Sequence, residues 1–156
     1  MLIANVKGIY MLIFELSCTT SIAIGSLGVR HLDTGLYIYI GSGRGPGGIR
    51  SRVLRHLMKS KRLWWHIDYV STHKCFKAKS LVYAETTLDL ESELASRLIG
   101  YEYMSPYIEG FGSTDKESIT HLFKCNCSLE ECLKTCTEAL ESLELNPRAL
   151  HLNTNI

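Results

Sequence analysis

The stretch GLYIYIGSGRGPGGIRSRVLRHL, residues 35–57, joins a strand-like segment to a glycine-rich loop and then to a basic segment. Its first part is rich in tyrosine and isoleucine, which favour strands. After the glycines, apolar residues recur at helical spacing, at Ile49, Val53, Leu54 and Leu57. This pattern predicts an amphipathic helix over residues 48–60. A loop in this position could hold a cofactor phosphate or contact a phosphodiester.

The first alternative is a dinucleotide site. Gly43, Gly45 and Gly48 match its glycine spacing, and Asp68 follows at the usual distance. However, Pro46 lies inside the loop that should turn tightly, and Asp68 is expected in the middle of a strand and not at its end. The rest of the chain also lacks the strand and helix units of a doubly wound sheet, and no Gly-Lys-Ser/Thr follows for a P-loop. We therefore disfavour both nucleotide motifs.

The length and composition indicate one globular domain. The chain has 156 residues, of which 46% are hydrophobic and 21% charged, which is enough for one core and short for two. The apolar run VKGIYMLIFEL, residues 6–16, is interrupted by Lys7, Gly8 and Glu15, so it is too broken for a signal peptide or a membrane span. We expect a cytoplasmic protein that does not enter a membrane.

The net charge of +1 hides an uneven distribution. Residues 44–62 contain seven basic side chains and no acid, whereas residues 85–144 contain 13 of the 16 acids against four bases. A concentrated basic stretch suggests one anionic docking site, although a solvated helix face is the simpler alternative. The candidate nucleic-acid contacts are Arg44, Arg50, Arg55, Lys59 and Lys61.

The remaining pattern predicts a mixed chain of strands and helices. Strands are expected at residues 7–16, 36–41, 64–70 (WWHIDYV), 75–84 and 119–125, with a hairpin or meander around the apolar piece 22–27. Helices are expected at residues 88–100 and 128–145, the second opening with a capping box from Ser128 to Glu131. Residues 101–118 are expected to be loop, and the tail 146–156 is expected to fray in part.

Several motifs resemble a known nuclease superfamily. GIY at residues 8–10 and YIG at residues 39–41 resemble the two named motifs of the GIY-YIG endonucleases, and R-x-x-R-H at residues 52–56 is similar to their catalytic-arginine helix. The longer pattern, which runs from LGVRHLDTGLYIYIG through KRLWWHIDYV to GFGSTD and HLF, resembles the uncharacterised DUF123 subfamily. That subfamily is classed as Uri-type GIY-YIG endonucleases and is sometimes fused to a DNA glycosylase. The resemblance covers roughly residues 7–124.

The resemblance and the predicted elements agree on an α/β fold of the α+β kind. We expect a small, mainly antiparallel GIY-YIG-like sheet flanked by helices, with an extra C-terminal strand and helix. Residues 1–124 would form the catalytic domain, and residues 125–156 would pack on the same domain. Two departures are visible: GRGPGG lengthens the loop before the arginine, and Lys116 and Glu117 stand where the subfamily tends to carry cysteines.

The resemblance implies the hydrolysis of a phosphodiester bond in DNA. Tyr10 would act as the general base or position the attacking water, and Tyr39 would share its site. Arg52 would hold the phosphate, as a guanidinium does well. His56 would donate a proton to the leaving group or contact the phosphate. Without the motifs each tyrosine would be an ordinary strand residue, and Tyr37 shares the strand face of Tyr39.

A metal ligand can be argued from helix geometry. At 100° per residue, Glu91 falls within the apolar arc formed by Leu90, Leu94, Ala95 and Leu98. A carboxylate directed inward must be paired or bind a metal, so Glu91 is the candidate ligand for Mg²⁺ or Mn²⁺, as the resemblance also implies. The alternative is a buried salt bridge to Arg52. His66 and Asp68 would share one strand face. They would extend the catalytic face or contact the ligands of the metal, or they would form a structural hydrogen-bonded pair.

The six cysteines give a weaker signal. Cys125, Cys127, Cys132 and Cys136 depart from the usual spacing of zinc ligands. Cys132 and Cys136 are one helical turn apart and fit a core position. We disfavour a structural metal at these four residues, and we disfavour disulfides because the protein is expected to be intracellular.

Together these features predict a metal-dependent DNA endonuclease that is directed by structure or damage and works with a DNA-repair protein. RNA is not excluded as the substrate, and the oligomeric state is not defined by the sequence. The main alternative is a nucleic-acid-binding module that uses the basic helix 48–60 but does not cut. A third alternative is a protein-interaction domain that uses the acidic C-terminal helix.

Overall fold

The structure, a computed structural model, describes residues 3–113 and 118–152. In these ranges the strands are β1 (Gly8–Leu16), β2 (Thr20–Ala23), β3 (Val29–Leu32), β4 (Gly35–Gly43), β5 (Phe76–Glu85), β6 (Met104–Pro106), β7 (Leu122–Cys125) and β8 (Arg148–His151). The helices are α1 (Gly48–Leu57), α2 (His66–Ser71), α3 (Glu91–Ile99) and α4 (Leu129–Glu141), and a 3-10 turn covers Gly25–Leu27.

The main sheet is antiparallel and is built around β1. In the described part of the chain it has six strands in the order β6-β7-β4-β1-β5-β8, while β2 and β3 form a separate hairpin. This confirms the expected mixed fold with an antiparallel sheet. A doubly wound parallel sheet is excluded, and with it the dinucleotide alternative.

Both faces of the sheet are covered, which explains why β1 is apolar almost throughout. Successive side chains of a strand point to opposite faces. One set packs against α1 and α2, and it includes Tyr10, Leu12 and Phe14. The other set packs against α3 and α4, and it includes Ile9, Met11 and Ile13. The fold is therefore a sheet between two helical layers, and the candidate site lies on the side of α1.

The predicted long helices and central strands are confirmed. α1, α3 and α4 lie within the ranges that the periodicity predicted, and β1, β4, β5 and β7 match the predicted strands to within a few residues. Ser128 caps α4 by accepting a hydrogen bond from the N–H of Glu131. The hairpin of β2 and β3 also agrees with the expected turn between the first two strands.

The prediction that residues 64–70 form a strand is wrong, because this segment contains α2. The carboxylate of Asp68 accepts hydrogen bonds from the N–H groups of Trp64 and Trp65, both at 2.9 Å, and so caps the helix. Such a cap satisfies N–H groups that the first turn leaves without partners. A helix of six residues is too short to show a helical period, and its aromatic and β-branched residues imitate a strand.

The C-terminal tail is more ordered than predicted. β8 pairs with β5 along its outer edge, and Leu152 is buried against the core. Residues 148–151 of the tail are therefore part of the sheet, while residues 153–156 lie outside the described residues, so the predicted partial fraying stays a prediction there. Within the predicted loop 101–118, the short strand β6 pairs with β7. Among the described residues, none of the helices combines the length and the apolarity that a bilayer crossing requires.

A disulfide joins Cys18 to Cys75, which corrects the prediction that the cysteines stay reduced. β1 pairs with β5 as far as Leu16 and Phe76, so the two cysteines lie just beyond the end of this pair. The N–H of Ser17 donates to the carbonyl of Cys75 at 3.0 Å and holds the two segments together. The bond closes a loop with a sequence separation of 57 residues.

Removing this disulfide should lower the free energy of unfolding. A cross-link over a loop of this length typically contributes about 2–4 kcal/mol, chiefly by restricting the unfolded chain. We expect a loss of this size in the double variant Cys18→Ser/Cys75→Ser, measured by urea unfolding of oxidised protein. Cys127→Ser, which removes a half-buried free thiol, is the matched control. Equal stability of the double variant and the wild type would contradict the assignment.

Candidate functional site

The two glycine-tyrosine motifs pair with each other across β1 and β4. In their register Gly8 lies opposite Gly43, and Tyr10 lies opposite Gly41. A Cβ atom placed on Gly41 would be 2.4 Å from the hydroxyl oxygen of Tyr10 and 2.5 Å from its Cζ atom. The side chain of Tyr10 therefore crosses β4 directly over Gly41, which only glycine allows.

The crossing brings Tyr10 to α1. Its hydroxyl oxygen lies 2.6 Å from Nε2 of His56, and both side chains are buried. The start of α1 is held close to the N-terminal segment, because the N–H of Ile49 donates to the carbonyl of Val6 at 2.9 Å. Gly48 permits this approach, since its φ is +59° and a Cβ there would be 2.4 Å from the same carbonyl oxygen.

A polar pocket of about 190 Å³ opens beside this pair. It is lined by all five residues that were predicted for catalysis and metal binding, namely Tyr10, Tyr39, Arg52, His56 and Glu91. Ser42, Trp65 and Gly112 are also part of its wall. Side chains from β1, β4, α1 and α3, which are far apart in the sequence, thus meet in one small space.

Arg52 and Glu91 supply the opposite charges of the pocket. The guanidinium of Arg52 stacks over the ring of Trp65 at 4.3 Å, and it makes no ion pair with any described residue. Glu91 accepts a hydrogen bond from the Ser42 hydroxyl at 2.5 Å, and its other oxygen lies 3.4 Å from Nδ1 of His121. Among the described residues Glu91 and Arg52 form no salt bridge with each other, and both side chains line the pocket.

The donor set around Glu91 fits a hard divalent cation. One carboxylate, only 12% exposed, stands beside a hydroxyl in a pocket that also holds an arginine able to bind a phosphate. Mg²⁺ and Mn²⁺ are bound in this way, by one or two carboxylates together with waters and substrate phosphate. The residues therefore fit the metal that was expected here.

Burial is the main influence on the pKa values of the titratable side chains in the pocket. It raises the pKa of Tyr10 well above the ordinary value, with a further rise from Tyr39, while Arg52 acts in the opposite direction. The pKa of Tyr39 is raised for the same reason. Burial lowers the pKa of His56 to about 3, and the nearby positive charge of Lys61 acts in the same direction. At neutral pH the pocket thus contains two neutral phenols and a neutral imidazole.

The predicted nucleic-acid contacts divide into two groups: two arginines on the surface, and three side chains that bind backbone or buried groups of the protein. Arg44 and Arg50 are exposed, and Arg44 also pairs with Asp89 at 3.4 Å. Lys59 donates to the carbonyls of Ser71, His73 and Phe76, and so holds the C-terminal end of α2.

Arg55 and Lys61 are engaged inside the protein. The guanidinium of Arg55 donates to Asp68 at 2.7 Å. The ammonium of Lys61, whose side chain is 1% exposed, donates to the Arg55 carbonyl and to the Ser71 hydroxyl, both at 2.7 Å. Burial lowers the pKa of Lys61 to about 8. In this conformation the two residues support α1 and α2, and Lys61 does not reach a ligand.

His66 and Asp68 do not share a face, because they lie on a helix and not on a strand. Nδ1 of His66 accepts a hydrogen bond from the N–H of Gly112 at 2.9 Å and so supports the pocket wall. Burial alone would raise the pKa of Asp68, but the N–H groups of Trp65 and Trp64 and the guanidinium of Arg55 hold it below the ordinary value. Asp68 therefore organises the loop that precedes α2.

Three residues that line the pocket, Ser42, Trp65 and Gly112, were not predicted from the sequence, and His121 was given little weight. Ser42 directly follows YIG, and its hydroxyl orients Glu91. Trp65 belongs to the aromatic pair WW and holds Arg52. Gly112 lies in GFGSTD, where a Cβ would come within 3.3 Å of the Tyr39 ring. His121, from HLF, is buried and faces Glu91. Positions 114–117, which include Lys116 and Glu117, lie outside the described residues.

The cysteines form two close groups in the part of the chain that the structure describes. Cys18, His73 and Cys75 lie close together, but the two sulfurs are bonded to each other, and Nδ1 of His73 accepts a hydrogen bond from the N–H of Cys75. Cys132 and Cys136 are buried on α4, as predicted, and the sulfur of Cys132 lies 2.9 Å from that of Cys125. Among the described residues this second group does not converge as three metal ligands.

Comparison with known families agrees with the pattern of motifs. The family model described as a domain of unknown function, DUF123, matches residues 9–143, and the chain belongs to this family. Comparisons with curated proteins and with solved structures give no match.

Replacing Gly41 with alanine should destabilise the protein and displace Tyr10. The new methyl group would overlap the phenol, and forced overpacking of this kind typically costs about 1–3 kcal/mol. We expect a loss of this size in urea unfolding. The matched control is Gly45→Ala in the adjoining loop, where a Cβ meets nothing within 4 Å. Equal stability of the two variants would show that Tyr10 does not cross Gly41.

The stability of the protein should fall in mild acid because of His56. Its pKa is about 3 when folded and about 6.5 when unfolded, so between these values the unfolded chain binds more protons. The contribution is complete above pH 6.5 and is lost as the pH falls, by about 2 kcal/mol between pH 7 and pH 5. Burial of His66 acts in the same direction.

This dependence can be measured by urea unfolding at each pH. His56→Gln should remove most of the slope, whereas His31→Gln, at a histidine whose side chain is 61% exposed, should keep it. A wild-type slope in the His56 variant would contradict the burial of a neutral imidazole.

Proposed function

We propose that this protein is a metal-dependent endonuclease of the GIY-YIG type that hydrolyses phosphodiester bonds in DNA. The observation that carries the proposal is the pocket in which Tyr10, Tyr39, Arg52, His56 and Glu91 meet. Hydrolysis requires a base for the water, a cation for the phosphoryl oxygens and help for the leaving oxygen. The pocket offers a candidate for each requirement.

Tyr10 is the proposed base or positioner for the attacking water, and His56 holds its hydroxyl. Burial raises the pKa of Tyr10 and lowers the pKa of His56, so neither a free phenolate nor an imidazolium is a favourable species at neutral pH. The hydroxyl of Tyr10, which shares a hydrogen bond of 2.6 Å with Nε2 of the neutral imidazole, can instead take a proton from the attacking water while it passes its own proton to solvent. The new bond joins the water oxygen to phosphorus, the bond from phosphorus to the leaving oxygen breaks, and the leaving oxygen takes a proton from solvent. The hydroxyl of Tyr39 lines the same pocket and orients the water.

Arg52 is the proposed phosphate ligand. Its side chain is oriented by Trp65 and has no carboxylate partner among the described residues. A guanidinium held in this way can donate two hydrogen bonds to a phosphate and neutralise the charge that develops there. Its positive charge also lowers the pKa of Tyr10 against the effect of burial, which assists proton transfer.

Glu91 is the proposed ligand of Mg²⁺ or Mn²⁺. A metal bound there would supply Lewis-acid stabilisation of the phosphoryl and leaving oxygens. Ser42 orients the carboxylate through the hydrogen bond at 2.5 Å, and His121 lies on its other side. These contacts fix Glu91 at the pocket before any ligand arrives.

A structure- or damage-directed activity suits the size of the protein. A chain of 156 residues offers little surface for reading a long sequence, whereas specific protein–DNA interfaces usually bury a large area. We therefore propose that DNA shape selects the site. The proposal of a DNA-repair protein as partner rests on the family resemblance alone, because the subfamily is sometimes fused to a DNA glycosylase.

The test is cleavage of labelled single strands, duplexes, flaps, bulges and abasic duplexes with Mg²⁺ or Mn²⁺. Arg52→Ala and Glu91→Gln should each reduce the rate by about 100-fold or more, as the loss of one charged transition-state contact does elsewhere. Glu93→Gln and Arg97→Ala are matched controls, because each removes an exposed charge from α3 and should keep most of the rate.

Metal-dependent product that survives Arg52→Ala and Glu91→Gln would refute the assignment of the pocket. Salt-dependent binding without product on every substrate would favour the non-cutting module.

A further inference from the structure

Trp64 is an exposed aromatic residue that directly precedes Trp65, and Trp65 lines the candidate pocket. The relative exposure of Trp64 is 61%. The two ring centroids are 6.2 Å apart with the planes nearly perpendicular. A tryptophan carries one of the largest apolar surfaces of any side chain, and here most of it faces solvent beside a site proposed to bind phosphate.

The ring of Trp64 is held in place by Arg55, which lies over one of its faces. The guanidinium carbon of Arg55 lies 4.4 Å from its centroid, over one face of the indole. Arg55 is fixed in turn by Asp68 at 2.7 Å and by the carbonyl of Arg62 at 2.5 Å. Asp68 also accepts the N–H of Trp64 itself. One face of the indole is therefore covered by the guanidinium of an ion pair, and 61% of the residue remains exposed.

A flat and largely exposed ring with a cation over one face suits a flat partner. Nucleobases stack on such rings whatever their sequence, because every base has a π face. The neighbouring Trp65 orients Arg52, the proposed phosphate ligand. A base on Trp64 would thus belong to a nucleotide at or next to the phosphate in the pocket.

A paired base inside a duplex cannot use this surface, since both of its faces are already stacked. The nucleotide must be unpaired or extruded, and the energy needed to unstack its base is smallest where the base is already unpaired. Single strands, flaps and bulges provide such a nucleotide, as does the base opposite an abasic position.

We infer that Trp64 is a stacking platform for an unpaired nucleobase, and that the substrate carries a single-stranded or extruded nucleotide beside the cleaved phosphate. This inference rests on the proposed function, because it takes the pocket to hold a nucleic-acid phosphate. It adds a substrate class and a residue that the motifs do not assign.

The test is equilibrium binding of labelled oligonucleotides in the Glu91→Gln background, with EDTA, so that no cleavage occurs. The probes are a single strand, a duplex with a single-nucleotide bulge and the fully paired duplex of the same length. Trp64→Ala should weaken binding to the single strand and the bulge about tenfold, which corresponds to about 1.4 kcal/mol. Binding to the paired duplex should change by less than about twofold, because phosphate contacts dominate there.

Two further variants separate stacking from other effects. Trp64→Phe keeps an aromatic face and should retain most of the affinity for the single strand. Leu63→Ala removes the adjacent side chain, which is 42% exposed and has no π face, and should behave as the parent. The single strand should also quench the tryptophan fluorescence of the parent, and Trp64→Phe should lose that quenching. Urea unfolding of each variant checks that the fold is kept.

Wild-type affinity for the single strand in a folded Trp64→Ala would overturn the inference, while the endonuclease would still stand on its own cleavage assay. Equal losses in Leu63→Ala and Trp64→Ala on all probes would also overturn it, because they would indicate a general apolar surface such as a protein-docking patch. A parent protein that binds none of the probes, and a wild type that cuts none of the substrates, would remove both proposals.

Discussion

The crossing of Tyr10 over Gly41 is the contact on which the rest of the candidate site depends. The two residues are direct partners in the register of β1 and β4, and a shift of one residue would turn every side chain of β1 to the opposite face. Only with glycine at this point can the phenol pass over the neighbouring strand and meet His56 on α1. The strand register that packs the sheet therefore also brings together the residues of the candidate site.

Asp68 is the second organising group, and it works through charge. It is fully buried and combines two backbone N–H groups with the guanidinium of Arg55 and the nearby ammonium of Lys61. A buried carboxylate without such partners would be strongly unfavourable. The network attaches α2 to α1 and fixes the loop between them, and that loop carries both tryptophans. The position of Trp65 beside Arg52 follows from this electrostatic arrangement.

The parts of the fold that were predicted correctly are those with a long, clear pattern. β1, β4, α3 and α4 each extend over nine or more residues, and the five residues chosen for the pocket do meet there. The tryptophan segment could not be assigned in this way, because α2 is short and its cap comes from a side chain of the helix itself. The disulfide was missed because Cys18 and Cys75 become neighbours only through the pairing of β1 with β5. β8 was missed because an edge strand with exposed residues has little apolar alternation.

The internal use of basic side chains changes the electrostatic character of the protein. A cation displaces condensed counterions from a nucleic acid only when it lies against a phosphate. Arg55 and Lys61 are already engaged by Asp68 and by carbonyl and hydroxyl oxygens, and Lys59 is engaged by carbonyls of α2 and the following turn. The basic stretch therefore exchanges far fewer ions with its surroundings than its composition suggests. Under the proposed function, the electrostatic attraction to DNA would then be weaker than the sequence suggests, and the shape of the DNA would contribute more to the choice of site.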